Sequence, residues 1–355
     1  MKIKVNNNFL LLATISLLFL KIIFFILIKN NFLTINLGGG SDADYYDQFA
    51  EGFHTVEVNI WPVILRYLNE AGLYSREVIS YIFLFLNLLV IPYLTNRISG
   101  LNFNASRNYY LYVFLICLIY PTLYFFTFDI YRDVFMVFCF LIGCLAAKKA
   151  FNSSFSLVFI SYFILTLLIG LFLAELRPYL GAGFIGAMFL CNIKFTKKRL
   201  VILSFLYLLA LFAASYVGIF DALTEYRAGF EEGESGSNLG LDFSNPAMFI
   251  PNFILSFLGQ MLGLYITNPL AIVLVLIETI PFFLMLIYII KNIKWADKFI
   301  RFLIIFFVLY GSIWLIGNDN LGTAVRLRLY NYFAIYISFF YILNLKERSL
   351  KKHIR

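Results

Sequence analysis

The stretch Phe9-Leu10-Leu11-Leu12-Ala13-Thr14-Ile15-Ser16-Leu17-Leu18-Phe19-Leu20-Lys21-Ile22-Ile23-Phe24-Phe25-Ile26-Leu27-Ile28 carries a single charge, Lys21. A run of about 20 apolar residues matches the hydrocarbon thickness of a bilayer when coiled as a helix. Backbone in lipid has no water to bond, so a helix is the conformation that satisfies it. The run is long and lacks a small-residue cleavage site, and it therefore reads as a retained span rather than a signal peptide.

Similar runs follow near 78–95, 109–127, 132–147, 155–174, 178–193, 200–219, 270–290, 299–317 and 328–345. The expected fold is thus all-α: one polytopic transmembrane helix bundle over residues 1–355, with about ten spans. Lysines set its orientation. With Lys2 and Lys4 cytoplasmic, alternation places Lys148, Lys149, Lys194, Lys197, Lys198, Lys291, Lys294, Lys298 and the tail from Lys346 on the same side. Both termini are then cytoplasmic, and the large outer loops cover about 29–77 and 220–269. The run Phe249–Ile266 breaks this alternation. Its Pro251, Gly259, Gln260 and Gly263 suit a broken or re-entrant helix on the outer face.

Composition excludes several classes. Of 355 residues, 62% are hydrophobic and only 14% charged, below the roughly 25% typical of soluble domains. The net charge of +8 comes from clusters between apolar runs, an orientation signal rather than a nucleic-acid surface. Cys117, Cys139, Cys144 and Cys191 lie in or beside apolar runs without His at metal-ligand spacing, so neither a disulfide framework nor a zinc site is expected. No P-loop or dinucleotide fingerprint is present.

The outer loops differ chemically from the inner ones. Of 20 acidic residues only Asp297 and Glu347 fall on the cytoplasmic side, and the outer cations are almost all arginine. Arginine's planar fork grips phosphate bidentately. Gly38-Gly39-Gly40-Ser41-Asp42-Ala43-Asp44-Tyr45-Tyr46-Asp47 offers Asp42 and Asp44 as acid, base or metal ligand, or else as first-turn acids of a capped helix. Ile60, Ile64, Leu68 and Ala71 share one face of an interfacial helix. His54 reads as a surface residue. Asp129, Arg132 and Asp133 sit in a short connection at the membrane surface, either as a structural pair or as a binding site. Arg177, before Pro178, is a phosphate-contact candidate. Glu231 to Ser237 is either a solvated linker or a lid. Glu278 lies inside a span and requires a partner or a cavity. Arg326 and Arg328 read as opening the last span, where an anion would be favoured.

Taken together, the acidic loop after the first span, Tyr120-Pro121 leading to Arg132-Asp133, Leu176-Arg177-Pro178-Tyr179 and Asn320-Leu321-Gly322-Thr323-Ala324-Val325-Arg326-Leu327-Arg328 resemble polysaccharide polymerases of the Wzy type, found in O-antigen and capsule clusters. The resemblance implies a glycosyltransferase of the bacterial inner membrane. It would move a glycan from undecaprenyl pyrophosphate to a lipid-linked acceptor at the periplasmic face, among membrane lipids and with a chain-length regulator as protein partner. It also implies Arg177, Arg326 and Arg328 as pyrophosphate ligands; Arg132 is a further binding candidate, and Asp42, Asp44 or Asp133 is the expected base. A second resemblance is to GT-C glycosyltransferases, which carry a catalytic acid in the first outer loop, as Asp42 or Asp44 does here. No cofactor is expected, and a divalent metal only under that second reading. The third alternative is a transporter of lipid-linked oligosaccharide.

Overall fold

Proline decides where the long apolar runs stop being ordinary helices. A proline inside a helix has no N–H to donate and its ring crowds the preceding turn. At Ile91-Pro92 and at Ile280-Pro281 the chain answers with one wide turn just upstream, a π turn over Leu86–Val90 and another over Val275–Thr279. The helices continue through both, as α4 (Arg76–Ile98) and α13 (Pro269–Lys291). At Tyr120-Pro121 the outcome is different. Tyr120 takes an extended conformation, φ −61° and ψ 103°, as residues before proline tend to do. The expected span 109–127 is accordingly two helices, α5 (Arg107–Ile119) and α6 (Pro121–Phe125).

The computed structural model describes residues 6–33, 40–154, 156–229 and 237–353. Gly38, Gly39 and most of the acid–glycine stretch considered as a lid, Glu231 to Gly236, lie outside them. Among the described residues there is no β-strand, only an isolated bridge between Asn238 and Asn320. Among the described residues seven helices are long and apolar enough to cross a membrane: α1 (Asn7–Lys29), α4, α7 (Arg132–Asn152), α8 (Leu157–Leu176), α10 (Lys197–Tyr216), α13 and α14 (Lys298–Gly317). The protein is therefore an all-helical, multi-pass membrane protein. The expected spans 109–127 and 178–193 appear as the shorter helices α5 and α9 (Pro178–Leu190), and 328–345 lies within α15 (Leu321–His353).

The chain divides into two compact units, Met1–Gly181 and Ala182–Arg355, the boundary falling inside α9. In the first unit α2 (Gly40–Glu51) and α3 (Ile60–Glu70) pack on one another, Asn69 donating to the Ala50 carbonyl at 3.0 Å and Arg66 lying 4.9 Å above the Phe49 ring. The face of α3 buried in the protein is Trp61, Pro62 and Leu65, beside the apolar face of Ile60, Ile64, Leu68 and Ala71. Trp61 fixes the buried face. Its indole packs on Phe83 and Phe135 and donates to the Ile130 carbonyl at 2.9 Å. His54 is exposed and shares a hydrogen bond with Gln48, as a surface residue should. All four cysteines are free, and three are buried.

The second unit is built around α14 and α15, which bury most of their length. Trp314 donates to Asn331 at 2.9 Å and Asn331 donates to the Phe307 carbonyl at 2.9 Å, so a single amide ties the two helices in both directions. Helix α12 (Pro246–Met261) is too short to count among the spans; it ends in a π turn and then in Gly263, whose φ of +63° suits glycine. Helix–helix association in lipid depends on close packing rather than on apolar transfer, so small residues carry weight. Gly183 is one: a Cβ there would stand 2.7 Å from the Tyr310 Cβ and 2.9 Å from its Cα. Gly183→Val is expected to cost about 1–3 kcal/mol of overpacking strain. A lowered unfolding temperature of the purified protein in detergent would register it, whereas an unchanged value would show that the two helices separate freely.

Candidate functional site

The first unit gathers charge at the start of α7. Arg132 and Asp133 open that helix directly after the extended residue Tyr131. A helix start presents free N–H groups and a positive dipole end, and Asp133 in the first turn complements it. Asp133 is 1% exposed and faces Arg177, itself buried, at 3.5 Å. Arg177 holds an extended conformation, φ −158° and ψ 107°, because Pro178 follows it and opens α9. Arg132 is only half-buried and donates from Nη1 to the Leu176 carbonyl at 2.7 Å, capping the end of α8.

Tyr46 of α2 is buried and feels the charges of this group. Burial raises its phenol pKa; the Arg132 charge lowers it, and the nearby carboxylates Asp42 and Asp133 raise it further. The phenol therefore stays protonated and available as a donor at neutral pH. Asp42 lies one turn earlier on α2 and is half-buried. Asp42, Arg132 and Asp133, picked out separately from the sequence, thus act on one tyrosine of the first unit, and Arg177 joins them through Asp133.

Asp44 belongs to a different group. With Asp47 and Asp129 it surrounds Arg76, at 2.8, 3.2 and 2.6 Å, the Asp129 contact being bidentate. Tyr74 donates to Asp47, and burial together with that carboxylate pushes its phenol well above the usual range. One guanidinium draws together α2, the start of α4 and the segment ahead of α7. Asp44 thereby anchors the loop through an exposed ion pair with Arg76. Among the described residues no group of three or more His, Cys, Asp or Glu side chains is arranged to hold a metal ion.

The second unit corrects the reading of Arg326 and Arg328. The helix α15 starts at Leu321, with the Asn320 side chain accepting from the Thr323 N–H at 2.8 Å. Arg326 and Arg328 are therefore in its second and third turns, beyond the reach of the free N–H groups at the start. Arg326 is half-buried. Arg328 is 2% exposed and its Nη2 donates to Glu278 at 2.9 Å. The partner that Glu278 required is therefore Arg328. Around the pair, Tyr332 donates to the Met261 carbonyl at 2.7 Å and shares a hydrogen bond with Thr279, and Tyr336 contacts the Glu278 carbonyl at 3.5 Å. Both carbonyls belong to π turns, where the widened backbone has lost its ordinary i+4 donors.

Another buried pair was not foreseen. Arg227 of α11 (Asp221–Ala228) meets Asp319, and its Nη1 also donates to the carbonyls of Leu315, Ile316 and Asn318 at the end of α14. Gly240 N–H donates to Asp319 at 2.9 Å. A cation on the last carbonyls of a helix satisfies groups the helix cannot satisfy itself. The signal was present in the sequence: Asp319 ends an apolar run, as Asp133 begins one. Two of the π turns gave a further signal, Ile-Pro inside an apolar run, and the three bury polar side chains, Asn87 in one, Gln260 in another, and Glu278 with Thr279 in the third. Compared with known proteins, the chain matches no protein-family model, no curated protein and no solved structure.

Proposed function

We propose that this protein is a polysaccharide polymerase of the inner membrane, transferring a glycan from undecaprenyl pyrophosphate to a hydroxyl of a lipid-linked acceptor. The observation that carries the reading is the cluster of Asp42, Arg132, Asp133 and Arg177 at the mouth of apolar helices. In the reaction the bond between the anomeric carbon and the pyrophosphate oxygen breaks. A bond from that carbon to the acceptor oxygen forms, and the acceptor proton passes to a carboxylate. Asp42, half-buried in the first turns of α2, is the base in this reading. Arg132, with one Nη engaged and the rest of its fork open, meets the departing pyrophosphate. Asp133 and Arg177, paired at 3.5 Å, supply the local field. Arg326 and Arg328, in the second unit, enter only through the sequence resemblance.

The topology of the reading follows the lysines. With α5, α9 and α15 counted as spans beside the seven long helices, both termini are cytoplasmic and the start of α7 opens to the periplasm. A GT-C-like single-sugar transferase is the second reading, favoured by Asp42, an acid of the first large loop whose charge acts on Tyr46 together with that of Arg132. Deletion in the host followed by gel analysis of surface polysaccharide separates them. Loss of the ladder with one repeat unit retained identifies a polymerase, and incomplete repeat units identify a transferase that builds them. Unchanged polysaccharide rejects both. Asp42→Asn is expected to reproduce the deletion phenotype while the protein accumulates normally in the membrane.

A further inference from the structure

Helices α9 and α10 are joined by a short cationic connection in the second unit. A cleft of about 360 Å³ opens there, lined by Ile193, Lys194, Arg199, Ile202 and Leu203. Two cations and three aliphatic side chains share one small concavity. Lys194 and Arg199 are exposed and form no ion pair with a carboxylate among the described residues, in contrast to Arg76, Arg177, Arg227 and Arg328. Directly beyond the cleft, α10 is the least covered of the long apolar helices, with only 6% of its most apolar stretch buried in the protein. A charged recess therefore runs into an apolar wall along the bilayer.

We propose that this cleft is a binding site for an anionic phospholipid, with the phosphodiester headgroup between Lys194 and Arg199 and the acyl chains along Ile202 and the exposed face of α10. A free phosphate would use the two cations and leave the aliphatic residues idle, whereas an anionic lipid uses both parts. Basic recesses between membrane helices attract such headgroups, each cation contributing about 1 kcal/mol near a charged surface. The proposal is independent of the catalytic reading above.

The test is competitive lipid retention. The full-length protein is purified from nanodiscs holding equal parts of phosphatidylglycerol and phosphatidylcholine, and bound lipid is counted by native mass spectrometry. The wild type is expected to retain phosphatidylglycerol at least fivefold over phosphatidylcholine. Lys194→Gln/Arg199→Gln is expected to lose that preference. Lys197→Gln/Lys198→Gln removes the same charge from the same connection, keeps the same topological load, and is expected to retain the preference. Equal loss in both variants would show diffuse surface attraction and overturn the site. Displacement of the lipid by millimolar inorganic phosphate would overturn it in favour of a simple anion site, and retention in the first variant would overturn it outright.

Discussion

Glu278→Leu removes the carboxylate facing Arg328 and is expected to destabilise the second unit by about 3–5 kcal/mol. The guanidinium is 2% exposed and sits between two membrane helices, so neither water nor a rotamer change readily replaces the lost partner. Gly263 adds to the confinement: even a Cβ there would stand 2.6 Å from the Arg328 Nη1. Glu278→Gln keeps an acceptor and loses the charge, and should fall between wild type and Leu. The double variant Glu278→Leu/Arg328→Met removes both charges and restores aliphatic volume. It should recover most of the lost stability, because isolating a buried charge costs more than deleting a pair. Thermal unfolding of the four proteins in one detergent gives the comparison. A double variant no more stable than Glu278→Leu would show that the two residues are not coupled. If the double variant folds but no longer supports polysaccharide assembly, the pair serves the reaction as well as the fold.

How much of this was legible in the sequence depends on the range of the interaction. Span-length apolar runs are local, so the helices and the membrane setting could be read directly. The need of Glu278 for a partner was also legible, because the cost of a charge in lipid holds whatever the fold. Its partner was not legible, since Arg328 lies 50 residues away and was assigned to a helix start. That assignment failed for a local reason, the capping of Thr323 by Asn320, which places the helix start five residues before Arg326. The protein-facing side of α3 was not legible, because one indole fixes it by reaching a carbonyl 69 residues on. The setting of Tyr46 required α2, α7 and the α8–α9 break to meet, and no periodicity in the sequence encodes that meeting. Asp44 and Asp42 illustrate the same limit: two residues apart, they looked equivalent, yet Asp44 pairs with Arg76 while the charge of Asp42 acts on Tyr46.

The sharpest functional expectation concerns Arg132 and Arg177, which the sequence treated alike and their burial separates. Arg177 is buried against Asp133, so Arg177→Ala leaves a carboxylate that is 1% exposed without its cation and should cost about 3–5 kcal/mol. Its loss of activity would follow from loss of protein. Arg132 is half-buried, with one hydrogen bond from Nη1 to the Leu176 carbonyl. Arg132→Ala should cost only about 1 kcal/mol of stability and yet lower glycan transfer by about 10²–10³-fold, the usual effect of removing one donor from a developing negative charge. Arg132→Lys keeps the charge and loses the fork, and is expected to recover part of the rate without restoring it. The measurement is polymer formed per unit of folded protein, with membrane abundance and unfolding temperature recorded for each variant. Arg132→Ala with a full ladder at normal abundance would remove Arg132 from the reaction. Equal thermal loss in Arg132→Ala and Arg177→Ala would instead make Arg132 a structural cap for α8, leaving the anion site without its open cation.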